Sequence, residues 1–276
     1  RLPARTCRPA APCEGIRVIP SFGLDLAGYS GGRSRLCVAE ALPDAAAKAT
    51  ILTGQAFEQP ADGSDRVGAL TAAERAVLSH CLGLGPLYVD IPIDLQALNT
   101  GRAAWVWELT GRPVDYAFRA LPPLADKIGA PVARFRQACQ PMLRHLGARL
   151  FETYPAGALQ LLGIPSGGYK GKRIRRAGGV WQGDEALARI AGALRLVAED
   201  GNDLDDDDLD AVVCAVTGLV APGQRLEREA LDEEIAGRIS RRLGCPRDRL
   251  PAWRAPHGYA LLNAQPFAEI VCARRD

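Results

Sequence analysis

Apolar residues in this chain fall into short blocks separated by glycine, proline and clustered charge, and the spacing within each block predicts its form. The first block is FGLDLA at 22–27, apolar on both sides of the single acid Asp25, a buried strand. Tyr29-Ser30-Gly31-Gly32 then supplies hairpin punctuation before a second strand, RLCVAEAL, at 35–42. A third run, ATILTGQAF at 49–57, completes an antiparallel meander. Thr71-Ala72-Ala73-Glu74 is a capping box that opens a helix to about Leu82, closed by Gly83 and Gly85. A second acid-bearing strand follows, YVDIPIDL at 88–95, so the sheet is mixed and contains a crossover.

Residues 96–147 are predicted mostly helical, with Val132, Phe135, Cys139, Met142, Leu143 and Leu146 on one stripe. ARLFETYP at 148–155 is a further strand, stopped by Pro155, and GGYKGKRIRRAGG at 167–179 reads as a loop. Asp184 caps an amphipathic helix whose face is Leu187, Ile190, Leu194 and Val197 and whose end is Gly201. Six aspartates between Asp203 and Asp210 then decorate the head of an apolar helix, DDDDLDAVVCAVTGLV, at 205–220. Beyond Pro222, Leu231, Ile235, Ile239 and Leu243 mark one more helix with Gly244 as its cap, and short strands are expected around Tyr259–Leu262 and Ala268–Val271. These elements divide into an irregular lead-in at 1–16, one α/β domain at 17–221 with a helical insertion at about 96–147, and a segment at 222–276 packed on that domain.

Composition narrows the choice of chemistry. At 276 residues the chain has ample material for a core, and 47% hydrophobic with 24% charged residues is ordinary for a globular protein. A formal charge of +2 gives no global field for a polyanion, so a nucleic-acid surface would have to be local. No run approaches the roughly 18 apolar residues of a membrane-spanning helix, and no signal peptide opens the chain. Eight scattered cysteines without a C-x-x-C, and three histidines, argue against a disulfide framework or a zinc site and for a reducing, cytoplasmic setting.

An acid seated in an apolar run is costly unless a cation meets it. Three such places, far apart in sequence, point to one converging site: Asp25, Asp90, and the Asp207/Asp210 pair, which share a helical face at i and i+3. Carboxylates held together are the ligands that Mg²⁺ or Mn²⁺ prefers, and two-metal phosphoryl transfer uses ions about 4 Å apart. Glu152, at a strand end in ETYP, is either a fourth metal-proximal acid or a rim residue. The plainer account of Asp25 is a strand-end acid bonded to backbone amides. For Asp90 it is a solvated terminus before Pro92, and for the aspartate run it is charge at a helix N-terminus. Four consecutive aspartates exceed what capping requires. Lys170, Lys172, Arg173, Arg175 and Arg176, with Tyr169 beside them, have the make-up of a patch that tracks a phosphate backbone and stacks a base; the plainer account is a solvated surface loop.

At these residues the chain resembles a known family. GLDLAG, VDIPIDL, GRPVDYAFRA, ETYPAGAL followed by GYKG, and DDDLDAVVCAVTG are similar to the domain of unknown function 429 family, in order from about Phe22 to Val220. The family is regarded as predicted nucleases, and the resemblance implies an RNase H-like fold: a five-stranded mixed sheet, its first three strands antiparallel, flanked by helices. It implies Asp25 as the first-strand acid, Asp90 as the fourth-strand acid, and Asp207 and Asp210 as the last-helix acids. The helical stretch 96–147 between strands four and five is longer than in a minimal RNase H, and residues 1–16 and 222–276 lie outside the resemblance.

Three functions compete. The leading one is a metal-dependent phosphodiesterase on nucleic acid, DNA or RNA, using Mg²⁺ or Mn²⁺, with Lys170 and the arginines holding phosphates. The second is an actin/hexokinase-like nucleotide-binding phosphotransferase, whose first phosphate loop GLDLAGYSGG resembles, although no second D-x-G-x-x-T-like loop follows. The third is a non-catalytic binding module on the same fold. The sequence does not specify an oligomeric state.

Overall fold

The computed structural model describes residues 19–26, 34–52, 72–93, 112–121, 129, 132, 135, 149–221, 223–250 and 258–275. Seven strands form the main sheet. Strand β1 (Ser21–Asp25) pairs antiparallel with β2 (Arg35–Ala41), and β2 pairs antiparallel with β3 (Ala47–Leu52). On its other edge β1 runs parallel to β4 (Leu87–Val89), and β4 parallel to β5 (Leu150–Glu152). The order is thus 5-4-1-2-3. The expected antiparallel meander is present, while the residues of its first hairpin, Ser30-Gly31-Gly32, lie outside the described residues, as does Thr71 of the capping box.

Two features depart from the sequence reading. The sheet has seven strands, not five: β12 (Ile270–Arg275) runs parallel to β3, and β8 (Leu196–Ala198) runs parallel to β12. Strand β8 occupies residues expected to end the preceding helix. That helix stops at Ala193 because Arg195 turns into the left-handed region, φ 58°, and its carbonyl then accepts the Ile270 N–H at 3.0 Å. Apolar spacing carries on through Val197, so periodicity alone could not see the break.

The second departure is the basic stretch. Arg173–Ala177 is strand β6, not a loop, and it forms a three-stranded sheet with β7 (Val180–Gly183) and β9 (Asp203–Asp205). The reason is alternation: Ile174 is buried while Arg173 and Arg175 face solvent. Gly178 and Gly179, at φ 58° and 77°, make the two-residue turn that requires positive φ at both positions. Towards the end of the chain, β10 (Arg225–Glu227) and β11 (Ala260–Leu262) form an antiparallel pair of their own.

The helices are α1 (Ala72–Leu84), α2 (Pro113–Phe118), α3 (Pro155–Leu161), α4 (Glu185–Ala193), α5 (Asp206–Thr217) and α6 (Arg228–Leu243). Asp184 caps α4 by accepting the Leu187 N–H at 3.0 Å, and Gly244, φ 61°, ends α6. Of the helical stripe expected at 132–146, Val132 and Phe135 are described; both are helical and buried. They join Phe22, Leu24, Leu36, Leu78, Leu82 and Val89 in the core on the α1 face. The other face carries α5, whose residues from Leu209 to Val216 are all buried, which is why its sequence is apolar all round.

Helix α5 lies directly on β1. A Cβ on Gly23 would sit 2.2 Å from the Ala211 carbonyl oxygen and 2.3 Å from the Ala215 nitrogen, so only glycine allows this approach. Cys37, Ala39, Ala47 and Ala49 extend the same shallow face across β2 and β3. Among the described residues no helix is long and apolar enough to cross a membrane, and the five described cysteines, Cys37, Cys81, Cys214, Cys245 and Cys272, are free thiols.

Candidate functional site

Parallel strands end on the same edge, and here β1, β4 and β5 all end at acids, Asp25, Asp90 and Glu152. Leu24 pairs with Val89, so Asp25 and Asp90 follow side by side, and the Asp90 N–H donates to the Leu24 carbonyl at 3.0 Å. Side chains alternate along a strand, so Asp25 shares the face of Gly23 and Asp90 that of Tyr88, which is the face α5 covers. The head of α5 brings Asp207 and Asp210 to the same place, one helical turn apart.

The aspartate run divides its labour. Asp205 is the N-cap: its carboxylate accepts the Asp208 N–H at 2.9 Å, and Asp208 returns the bond at 2.9 Å. Asp208 is fully buried and accepts from Arg35 Nε at 2.8 Å and from Arg274 Nη2, while Arg35 Nη2 also reaches Asp205 at 2.8 Å. Asp206 accepts the Gly171 N–H at 2.8 Å. Carboxylate oxygens of Asp205, Asp206 and Asp207 lie within 4.8 Å of one another, and the first two are occupied by those partners. Asp210 is left to act on Asp25 and Asp90, and Asp207 on Asp25.

A lysine answers that cluster. Lys170 forms an ion pair with Asp210, lies 5.2 Å from the Tyr169 ring centroid, and keeps a side chain that is 58% exposed. Tyr169, fully buried, donates its hydroxyl to Asp210 at 2.9 Å. Gly168 and Gly171, φ 80° and 71°, turn the backbone on either side of this pair. Burial, then the Asp210 carboxylate, push the Asp25 carboxyl well above its usual range against the pull of Lys170, with Asp90 and Asp207 adding to the rise. Burial and Asp210 raise Asp90 to about 7, opposed by Lys170 and Arg112. Burial with Asp206 and Asp205 raises Asp207 to about 6. Asp210 is raised by its burial in spite of Lys170 and the Tyr169 bond. Against the cost of burial, Asp210, Asp25 and Asp90 hold the Lys170 ammonium above its usual range. The cluster has more negative charge than one lysine neutralises.

Glu152 is not among these acids. The register pairs it with Val89 rather than Asp90, so it starts from the α1 face. There it forms an ion pair with Arg112 and accepts the Ile93 N–H at 2.9 Å. Arg112 is in turn held by Asp115 through Nη2 at 2.6 Å and Nε at 3.0 Å. This buried network pins the turn that follows Asp90. The basic residues also separate. Lys172 lies 3.7 Å from Asp184, Arg175 lies 3.9 Å from Asp203, and Arg176 sits over the Trp181 ring at 5.5 Å. Arg173 stands opposite Asp205 across the β6–β9 pair.

Sequence reasoning overlooked three neighbours of the cluster. Thr153 follows Glu152 and is next to Asp90 in register; its hydroxyl is buried and has no hydrogen-bond partner among the described residues. Tyr154 has its phenol raised by burial and then by Asp90 and Asp210. Arg112 acts on Asp90 as the second cation. Thr153 and Tyr154 belong to the ETYP motif and Arg112 to GRPVDYAFRA, so the signal was the motif as a whole rather than its acid.

No curated protein and no solved structure matches the chain. The family described as protein of unknown function (DUF429) matches residues 120–234, the stretch that carries Glu152, the Tyr169-Lys170 pair and the α5 aspartates, whereas Asp25 and Asp90 lie before it.

Proposed function

We propose that the chain is a metal-dependent phosphodiesterase of RNase H-like type that hydrolyses nucleic acid. The observation that carries this reading is that Asp25 and Asp90 end neighbouring parallel strands where Asp210 of α5, paired with Lys170, acts on both. The sheet order 5-4-1-2-3 with its first three strands antiparallel supports the fold assignment. The donor set fits Mg²⁺ or Mn²⁺: hard carboxylate oxygens, raised by burial and then by one another's charge. Asp25, Asp90 and Asp210 would hold the ion, with Asp207 completing the set. A bound ion would supply an activated water and charge for the leaving oxygen.

The chain's own groups do the rest. Tyr169 fixes one oxygen of Asp210, so the other faces Lys170 and the site. The Lys170 ammonium, partly exposed, neutralises a phosphate oxygen in the same reach. The Arg112–Glu152 pair and the Ile93 N–H bond keep Asp90 at its strand end.

The test is cleavage of a panel of single- and double-stranded DNA and RNA with Mg²⁺, Mn²⁺ or EDTA. Cleavage that needs the ion and is lost in both Asp25→Asn and Asp210→Asn is the expected result. If no substrate is cut, and ATP rather than nucleic acid raises the melting temperature, the phosphotransferase reading replaces this one.

A further inference from the structure

Beside Asp205 opens a cleft of about 360 Å³ whose lining includes Arg35, Arg173, Asp203, Asp205 and Arg274. Two of its arginines are fixed before any ligand arrives. Arg35 is held by Asp205 and Asp208 at 2.8 Å each, and Arg274 by Asp208 and by the Asp203 carbonyl at 3.1 Å from Nε. Their acids are therefore already engaged. Asp203 is drawn at 3.9 Å towards Arg175, which does not line the cleft. Arg173 is exposed and, unlike Lys172, Arg175 and Arg176, has neither an acid nor a ring partner among the described residues. The charged groups lining the cleft are thus three guanidiniums, Arg35, Arg173 and Arg274, and two carboxylates, Asp203 and Asp205, with Arg173 lacking an acid partner among the described residues.

This is the wrong balance for a second cation and the right one for a singly charged oxyanion. Guanidinium N–H groups match phosphate geometry, and pre-fixed side chains lose little entropy on binding. The cleft also adjoins the candidate site, because an Asp205 oxygen lies within 4.8 Å of an Asp207 oxygen. We infer that the cleft is a second phosphate subsite, taking a backbone phosphate of a strand whose neighbouring phosphate lies at the carboxylate cluster. The inference rests on the nuclease reading for its choice of ligand, and it makes the substrate a polymer rather than a mononucleotide.

The test uses the full chain in EDTA, with a fluorescent single-stranded DNA 12-mer titrated across a range of KCl. Arg173→Ala should flatten the plot of log affinity against log salt by about 0.7, the contribution of one phosphate contact on a single strand. Methylphosphonates placed singly along the strand should reveal a position that weakens the wild type several-fold and leaves Arg173→Ala unaffected. An unchanged slope with no such position overturns the subsite. If inorganic phosphate raises the melting temperature of the wild type but not of Arg173→Ala, while both bind the strand equally, the cleft takes a free oxyanion and the strand subsite is again overturned. Binding is read without divalent ions, so a wild type that binds with the full slope but cuts nothing would sink the nuclease reading and leave the subsite standing. Arg173 is exposed on β6, and an unchanged melting temperature of the variant shows that the fold is intact.

Discussion

Two groups of carboxylates sit within one turn of each other at the head of α5, and they differ in their partners. Asp205 and Asp208 are enclosed by Arg35 and Arg274 and bonded to each other's backbone. Asp210 acts on Asp25 and Asp90 with Lys170 as its close cation, and Asp207, whose charge also reaches Asp25, keeps an oxygen within 4.8 Å of those of Asp205 and Asp206. The first group is ion-paired, although burial and then Asp205 still raise the Asp208 carboxyl to about 6, and it holds helix, sheet and terminal strand together. The second is under-compensated, an arrangement that costs stability and is retained where a ligand supplies the missing charge. Residue type is the same in both; the partners decide which aspartates are tied into the fold and which are left short of cations.

The largest effect should come from the first group. Asp208→Asn leaves two arginines without their shared anion and should cost about 3–5 kcal/mol in urea unfolding, the range for breaking a buried ion pair. Asp210→Asn should be far milder, since it relieves repulsion while losing the Lys170 pair. Equal losses in the two variants would erase the contrast.

Next in size is the response to divalent ions. At a hundredfold excess over its dissociation constant a bound ion stabilises by about 2.7 kcal/mol. Mg²⁺ or Mn²⁺ should therefore raise the melting temperature of the wild type, do so much less for Asp25→Asn, and act fully on Arg175→Ala. An equal rise in wild type and Asp25→Asn would mean that the ion sits elsewhere.

A pH series sharpens the contrast further. Asp90 is raised from an unfolded value near 3.8 to about 7. Between those values the folded protein holds the extra proton, so the cluster's contribution to metal-free stability is greatest at low pH and declines as pH rises to about 7. Asp90→Asn should flatten that decline by roughly 1–3 kcal/mol, since each tenfold change in proton affinity on folding is worth about 1.4 kcal/mol. Melting temperatures from pH 4 to 8 without divalent ions check this, and a stability that climbs through that range would contradict it. The smallest effect belongs to the outer face of β6. Arg175 and Asp203 are 68% and 48% exposed at 3.9 Å, so Arg175→Ala should change unfolding by less than about 0.5 kcal/mol.

The acids at strand ends were legible because a charge interrupts an apolar run, as Asp25 and Asp90 do, and α5 was legible because nothing else explains so long an apolar stretch after aspartates. The roles within the aspartate run were not, since Arg35 and Arg274 come from strands 173 and 66 positions away from Asp208. Glu152 was misread for a related reason: one position along a strand reverses the face, and the register with β4 is a tertiary fact. In β6 a run of arginines hid the alternation around Ile174, and in β8 the helical spacing of Leu194 and Val197 outlasted the helix.

Strand β12 has a consequence for how the chain is made. It lies between β3 and β8, yet it follows every other described strand in sequence. During synthesis β3 must wait about 200 residues, from Leu52 to Ile270, for its second neighbour, with one edge open to pairing with other chains. Arg274 arrives on the same strand, so Asp208 also waits for its second guanidinium. A nascent chain that has finished α5 but not β12 therefore has Asp210 in place before Asp208 has its second arginine, and that interval is where a chaperone would have most to protect.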